Sequence, residues 1–598
     1  MKNNFSLAIA TVNGSGSQSA NNILAKTLFR MGYAVGAKNL FPSNIAGLST
    51  WFNIRVDENG FCGRKLTHEI FVAKNSATLE TDLQSIETNG FLFYDADFKN
   101  LPPNIRPDIV PISIPYRELT QSLSSSVKMR KLISNMVYVG ALAQLLKLDV
   151  KILNTVIRDQ FQNKDSVIEP NLKAIEAGMK YAEEHLKNIN FPYRADSVSD
   201  NNKDKILVDG NSAAALGAVA GGCTVMAWYP ITPSSSLAEN FHAFSSALRE
   251  NENNENNFAV VQAEDELSAI NMVIGAGWAG ARAMTPTSGP GLSLMAEAAG
   301  LSYFAEIPAV IWDVQRAGPS TGLPTRTMQG DLQFAAHLSH GDTEHIVLLP
   351  ANPKECFEFA RMALDLAEEF QTLVIVLTDL DIGMNFSISE NLKVQDSPYE
   401  RGKVLTAEKL NSENNFARYR DVDGDGICYR TLPGTMHTNA AYFTRGTGHN
   451  EDSSYTEDSE VFERLLIRLK KKLLAAASKV PQPLLSAHKS KSLIVAYGSS
   501  DFVMPELLAL LDKVGAPADY LRICALPLSI ELEKTLAQYE KIYIVEQNRD
   551  GQMRNLMAQK YASHSSKFIS ILSFDGLPLS AETLLTKITS SPSHAEIL

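Results

Sequence analysis

Cysteine is scarce in this chain and never clustered: Cys62, Cys223, Cys356, Cys428 and Cys524 are the five present among 598 residues. No two are near enough to form a Cys-x-x-Cys pair, which argues against a zinc ribbon or a cysteine-run iron–sulfur site in this sequence. Isolated cysteines fit a reducing compartment, where most serve as small buried hydrophobes. Long apolar runs are also missing, and nothing approaches the ~18 residues of a membrane-spanning helix. The first apolar stretch covers only residues 7–12 before Asn13-Gly14, too little for a signal-peptide core, so the protein is expected in the cytoplasm. Positive charge is in deficit, with a net charge of −12. That balance argues against nucleic acid and against an anionic membrane surface as partners.

What is present is ordinary for a soluble globular chain: 44% of residues are apolar and 20% charged. A chain this long exceeds one core, and about 150 residues per domain suggests three or four. A strand over 5–10, a turn at Asn13-Gly-Ser-Gly-Ser-Gln-Ser19 and a helix with Ile23, Leu24, Leu28 and Met31 on one face open the first domain. A strand over 90–94 and helical patterns over 127–146 and 172–186 follow, giving a domain of residues 1–190. Residues 191–205 are polar and aperiodic and read as a linker. From 206 to 445 strands alternate with helices, then give way to an irregular Asn-, Asp- and Gly-rich stretch. Residues 446–485 form a connecting helix and linker, and 486–598 a last α/β domain. Such alternation implies a parallel doubly wound sheet.

Within the second domain, strand-like runs at 225–228, 258–261, 282–284 and 309–314 are each followed by a polar motif. These are Tyr229-Pro-Ile-Thr-Pro-Ser-Ser235, Glu264-Asp-Glu266, Thr285-Pro-Thr-Ser-Gly-Pro-Gly291 and Gln315-Arg-Ala-Gly-Pro-Ser-Thr-Gly322. Ligands of parallel sheets bind outside the carboxyl ends of the strands, so the four segments are expected to converge on one cleft. Together they offer hydroxyls, a carboxylate pair, backbone N–H groups and a guanidinium, a set suited to an anionic organic substrate and a cofactor with a titratable nitrogen. Glu264 and Glu266 open a helix, where the dipole alone favours acids. Either can also serve as the carboxyl partner of a cofactor nitrogen. Arg316 at a strand end presents a fork that pairs bidentately with a carboxylate. Thr232 is flanked by Pro230 and Pro233, which stiffen the backbone and aim its hydroxyl.

Two further motifs read as turns. Gly14-Ser-Gly-Ser-Gln-Ser19 lacks the third glycine of a dinucleotide fingerprint, although its helix N-terminus suits an anion such as a phosphate of an acyl carrier. Asp421-Val-Asp-Gly-Asp-Gly426 begins like a calcium loop, but Leu432 stands where a bidentate Glu is needed. It also begins like a diphosphate–magnesium motif, yet no Asn-Asn follows some thirty residues on.

Taken together, Gly210-Asn211, Tyr229-Pro-Ile-Thr-Pro-Ser-Ser235, Glu264-Asp-Glu266, Thr287-Ser-Gly-Pro-Gly291 and Gln315-Arg316 with Gly318-Pro-Ser-Thr-Gly-Leu-Pro324 resemble the α subunit of 2-oxoacid:ferredoxin oxidoreductases, in particular the 2-oxoglutarate (KorA-like) branch. Gln329-Gly-Asp331, Tyr429-Arg-Thr-Leu-Pro-Gly434 and Val545-Glu-Gln-Asn548 continue the likeness. Residues 1–190, with Asn39-Leu-Phe-Pro-Ser-Asn44, resemble the γ domain of the same enzymes fused ahead of α. The implied fold is multidomain α/β: a γ-type domain, a doubly wound thiamine-diphosphate pyrimidine-type domain and a transketolase C-terminal-like domain.

The resemblance implies that thiamine diphosphate, shared with a β subunit, attacks the 2-oxo carbon and CO₂ leaves. Electrons pass through a [4Fe–4S] cluster to ferredoxin, and coenzyme A takes the acyl group. Mg²⁺ and the cluster are expected in β, with no metal held by this chain, in an (αβ)₂ heterotetramer. Glu266 is expected to pair with the aminopyrimidine, Glu264 being the second choice, while Tyr229, Pro230 and Ser288 also line the cofactor. Thr232 and Arg316 are expected to hold the substrate's 2-oxo and carboxylate oxygens, and the γ domain to cover coenzyme A. The implied reaction is 2-oxoglutarate oxidation to succinyl-CoA. Pyruvate or a branched-chain acid as substrate, or a non-redox thiamine-dependent decarboxylase subunit, are the alternatives.

Overall fold

The computed structural model describes residues 3–42, 47–98, 105–249, 255–394, 398–412, 416–487 and 489–590, so Ser43 and Asn44 of the 39–44 motif lie outside the described residues. The chain divides into two compact units. The first comprises Met1–Val208 with Asn385–Asn391 and Leu579–Ala581, and the second comprises the remainder.

The first unit is built on a six-stranded sheet of β1 (Phe5–Val12), β2 (Val35–Leu40), β3 (Ser49–Val56), β4 (His68–Ala73), β5 (Ile86–Asp95) and β6 (Val110–Ile114), in spatial order β2-β3-β1-β4-β5-β6. β1 is parallel to β4 and antiparallel to β3, and its first seven residues are buried. A near-continuous apolar run is what a strand covered on both faces requires. The turn after β1 leads into α1 (Ser17–Arg30), whose Ile23, Leu24 and Leu28 are buried. That turn is knitted internally: the Thr11 and Ser17 hydroxyls lie 2.8 Å apart, and Asn135 Nδ2 donates to the Ser15 carbonyl at 2.8 Å.

Two long helices, α2 (Val127–Leu146) and α3 (Asp165–His185), cross at glycines. A Cβ on Gly140 would stand 2.0 Å from the Ile175 carbonyl oxygen, and one on Gly178 2.1 Å from that of Val137, so the backbones touch. The stretch expected as a linker, 191–205, is packed onto this unit. Phe191 and Tyr193 join Phe5, Phe91 and Phe93 in an edge-on aromatic cluster, with Phe91 and Phe191 ring centres 4.8 Å apart. Aromatic burial outweighs the polar composition of its neighbours. The stretch runs into β7 (Lys205–Val208), which pairs antiparallel with β14 (Ser387–Glu390) returning from late in the chain.

The second unit carries the motif strands. It contains α4 (Gly210–Ala220), β8 (Val225–Trp228), α5 (Ser235–Arg249), β9 (Ala259–Gln262), α6 (Glu266–Trp278), β10 (Ala283–Thr287), α7 (Gly289–Leu294), β11 (Ala309–Gln315), α8 (Leu332–Ala336), β12 (Ile346–Leu348), α9 (Pro353–Phe370) and β13 (Leu373–Asp379). These strands, with β18 (Ala525–Leu526), form a seven-stranded sheet of order β18-β12-β13-β11-β10-β8-β9. Every neighbouring pair is parallel except β12–β18. β11 and β13 are wholly buried, with apolar clusters on both faces of the sheet. The four motif strands are thus contiguous, β11-β10-β8-β9. The chain steps outward from β8 to β9, then returns to β10 and continues the opposite way, which puts the topological switch between β8 and β10.

A five-stranded sheet, β15-β17-β16-β19-β20, completes the unit from β15 (Leu484–Ser486), β16 (Ser492–Ala496), β17 (Asp519–Arg522), β19 (Lys541–Glu546) and β20 (Phe568–Leu572). The helix α10 (Ser459–Ala476) is bound to the larger sheet domain by a buried ion cluster. Glu306 accepts from Arg468 at 2.5 and 3.0 Å and from Lys472 at 2.8 Å. The aspartate-rich turn near it holds no free carboxylate pair for a cation, because Lys403 Nζ lies 2.6 Å from Asp423 and 2.8 Å from Asp425. Asp421 accepts from the Gly426 amide at 2.9 Å, closing the turn on itself.

Candidate active site

The site is assembled at the carboxyl ends of β8, β10 and β11 with the first turn of α6. After β8 the chain turns sharply through Ile231-Thr-Pro-Ser, with the Ile231 amide donating to Ser235 Oγ at 3.0 Å. Asn211, fully buried at the start of α4, donates to the Pro233 carbonyl at 2.8 Å and to Ser236 Oγ at 2.9 Å. The helix start at Gly210-Asn211 therefore braces the segment that presents Thr232, which is half-buried.

After β9 the two glutamates part company. Asp265 caps α6 by accepting from the Ser268 amide at 2.7 Å. Glu266, the first helical residue, turns inward and is only 7% exposed, whereas Glu264 is exposed. Glu266 lies against the glycine turn after β10. A Cβ on Gly291 would come within 2.1 Å of Thr287 Oγ1 and 2.7 Å of Glu266 Cγ. Gly291 is therefore required by close approach, and it makes the floor on which the glutamate rests. Ser288 and Thr285 are fully buried, and neither hydroxyl has a partner. Buried hydroxyls are normally hydrogen-bonded, so these two stand out. Tyr229 and Pro230, expected against the cofactor, are exposed at the rim.

Arg316 follows β11 directly and is buried. Its Nη1 donates to the Thr232 carbonyl at 2.8 Å, tying the β8 and β11 segments together, while its buried Nε has no partner. Burial lowers the guanidinium's pKa from its ordinary value, opposed by the charges of Asp331, Asp313 and Glu266. Asp313 lies inside β11, register-paired with Thr287, and is completely buried. It escaped the sequence reading, although a lone acid in the apolar run Ala-Val-Ile-Trp-Asp-Val is itself a signal. Asp331 precedes α8, and its amide donates to Gln315 Oε1 at 3.0 Å. Its carboxyl faces Gly289, where a Cβ would meet Oδ2 at 2.8 Å. Burial raises both acids, Asp313 well above the usual range with Asp331 adding to it, and Asp331 to about 6.

The cleft thus joins one buried guanidinium with a free donor, an inward glutamate, two unpartnered hydroxyls and a glycine floor. Such a set is chemically suited to an anionic organic substrate beside a cofactor.

The family model described as "Pyruvate flavodoxin/ferredoxin oxidoreductase, thiamine diP-bdg" matches residues 216–463, and "Pyruvate ferredoxin/flavodoxin oxidoreductase" matches residues 6–181. A 2-oxoacid:ferredoxin oxidoreductase subunit alpha from Aeropyrum pernix is 30% identical over 626 aligned positions, covering 96% of each chain. The 2-oxoglutarate synthase subunit KorA of Methanothermobacter marburgensis is 33% identical over 355 positions, spanning 58% of this chain and 89% of its own. A solved 2-oxoglutarate:ferredoxin oxidoreductase from Magnetococcus marinus, with 2-oxoglutarate, coenzyme A and succinyl-CoA bound, superposes with a TM-score of 0.88 at 28% identity, covering 98% of this chain and 99% of that one. The chain belongs to the α subunits of the 2-oxoacid:ferredoxin oxidoreductases and carries that family's thiamine-diphosphate-binding domain. Among the described residues no helix is long and apolar enough to cross a membrane.

Proposed function

We propose that this chain is the catalytic α subunit, with the γ domain fused ahead of it, of an enzyme that oxidises 2-oxoglutarate to succinyl-CoA and CO₂ with ferredoxin as electron acceptor. The observation that carries the reading is the meeting of Glu266, Arg316 and the Thr232 segment at one edge of four contiguous parallel strands. The KorA relatives and the Magnetococcus structure, which holds 2-oxoglutarate and succinyl-CoA, support the choice of substrate.

The residues present fit the pyrimidine half of thiamine diphosphate. Glu266 is the carboxyl for a ring nitrogen, and the unpartnered Thr285 and Ser288 hydroxyls lie within β10 and directly after it. When bound, the cofactor supplies a nucleophilic carbon and an electron sink for decarboxylation. Glu266 then holds or passes the proton of the ring nitrogen, buried where water does not compete. Arg316 offers its free Nε and the adjoining N–H to the substrate's 1-carboxylate, and Thr232 orients the neighbouring 2-oxo oxygen. The diphosphate, its Mg²⁺ and the [4Fe–4S] cluster belong to a β subunit, and the working assembly is an (αβ)₂ heterotetramer.

The test is anaerobic reduction of ferredoxin by the co-purified αβ enzyme with coenzyme A and a panel of 2-oxo acids. The expected outcome is the highest kcat/KM with 2-oxoglutarate. A higher value for pyruvate or a branched-chain acid would overturn the substrate, and turnover without any acceptor would overturn the redox chemistry.

A further inference from the structure

The last α/β sheet has a carboxyl edge of its own, because β16 runs parallel to β17 and β19, and β19 to β20. In an independent α/β domain that edge is where a ligand sits. Here a segment of the same chain lies on it, residues 327–330 of the stretch that follows Arg316. The Thr327 amide donates to the Gly576 carbonyl at 3.1 Å, and the Gln329 amide to the Gln547 carbonyl at 2.8 Å. Gln329 is buried; its Nε2 donates to the Tyr497 carbonyl at 3.0 Å, and its Oε1 accepts from Ser500 Oγ at 3.2 Å. Asn548, directly after β19 and also buried, donates from Nδ2 to the Gln329 carbonyl at 3.1 Å and to Glu546 at 2.9 Å. Gln552 Nε2 donates to the Gly330 carbonyl at 2.6 Å. Both ends of the Gln329 side chain and both of its backbone groups are thus engaged, as burial demands.

The same segment reaches back to both neighbours of Arg316. On one side the Ala317 amide donates to the Arg326 carbonyl at 2.9 Å, and the Leu323 amide to the Ala317 carbonyl at 2.8 Å. A Cβ on Gly322 would stand 1.8 Å from that Ala317 oxygen, so the loop 317–326 is drawn tight. On the other side the Asp331 amide donates to Gln315 Oε1 at 3.0 Å, and Gln315 Nε2 donates to the Thr378 carbonyl of β13 at 3.0 Å. We infer that Gln329 and Asn548 are positioning residues: by holding the base of this loop on the last sheet, they fix the guanidinium of Arg316 for the 2-oxo acid's carboxylate. A planar fork pairs with a carboxylate only in a narrow range of orientations, so slack in its backbone weakens binding. Glu266 stands on another element, α6, and its proton handling is untouched by that slack.

This inference rests on Arg316 being the partner of the substrate carboxylate, so one readout must not need substrate. The variants are Asn548→Ala and the milder Gln552→Ala, which carries the test if the first does not fold. Asn555→Ala, on the same helix as Gln552 but bonded to the Asp550 carbonyl at 3.0 Å, is the control. In the αβ enzyme without substrate, hydrogen–deuterium exchange should quicken over residues 317–331 in both variants and stay at wild-type level in the control. In steady state Asn548→Ala should raise KM for the 2-oxo acid roughly tenfold, the scale of one lost buried hydrogen bond, with kcat and the KM for coenzyme A nearly unchanged. In an Arg316→Ala background it should raise KM no further, because both changes then act through one group. Co-purification with β and a cooperative melt establish that each variant is folded. Wild-type exchange over 317–331 in the folded variants overturns the clamp, whatever the enzyme's substrate proves to be. Quickened exchange with KM unchanged, or with the same rise in KM when Arg316 is already alanine, overturns the link to Arg316.

Discussion

Glu264 and Glu266 are two residues apart on one motif, yet their surroundings differ as much as surroundings can. Glu264 is exposed, and Glu266 points from the first turn of α6 into the cleft beside Gly291. Glu266→Gln should lower kcat by about 10²–10⁴-fold, the usual contribution of a positioned proton transfer, with KM for the 2-oxo acid little changed. Glu264→Gln should be near wild type, and a reversal of the two effects in steady-state assays would move the role to Glu264. Arg316 is the other residue on which the reading turns. In its proposed role, Arg316→Ala would leave the substrate carboxylate unpaired and should cost about 2–5 kcal/mol in kcat/KM, by analogy with truncated buried charge pairs. Arg316→Lys keeps the charge but not the fork, so part of the activity should survive. Both losses should be alike for every 2-oxo acid accepted. A loss confined to 2-oxoglutarate would instead place Arg316 at the distal carboxylate.

At the scale of elements, the turn between β10 and α7 sets the shape of the cleft. Alanine inside a helix is ordinarily favoured over glycine by about 1 kcal/mol. At position 291 the added methyl would lie 2.1 Å from Thr287 Oγ1 and 2.7 Å from Glu266 Cγ, so overlap outweighs propensity. Gly291→Ala should therefore push Glu266 out of place, costing about 1–3 kcal/mol of stability and lowering kcat with it. Normal activity and unchanged melting in that variant would show that the turn has room to yield. The strand and helix runs themselves were readable from periodicity. The expected helix 127–146 coincides with α2, and the run at 225–228 with β8. Residues 191–205 were not readable as packed structure, because two aromatics among polar neighbours leave no period, and only the ring cluster with Phe91 and Phe5 shows where they go.

Over the whole molecule, α10 is fastened by charge. Burial alone would raise the Glu306 carboxyl, but Arg468 and Lys472 outweigh it and hold the group well below its ordinary 4.5. A carboxyl depressed in the folded state stabilises fully above the unfolded value and loses that contribution as pH falls. Stability measured by urea unfolding should thus decline below pH ~4.5, and Glu306→Gln, which strands two buried cations, should cost about 3–5 kcal/mol at neutral pH. An unchanged midpoint would show that the cluster contributes little. The cysteines bear on assembly. Burial pushes the Cys223 and Cys428 thiols up to about 12 and Cys524 to about 11, far from the thiolate form that metals require. The chain purified without β should be colourless and free of iron, with stoichiometric iron and sulfide as the contrary result.

The amino-acid sequence by itself determined what is local. It set the strand and helix periods, the polar motifs that close each parallel strand, and the proline- and glycine-rich turns whose residue types admit few conformations. From the order of those motifs the shared strand edge that joins the Thr232 and Arg316 segments was legible. Only the tertiary structure decided that β10 lies between β8 and β11, that β18 crosses over to pair with β12, and that Glu306 meets Lys472 of α10. Strand neighbours and buried charge pairs are set by the free energy of contacts between distant segments, and no period along the chain encodes which segments will meet.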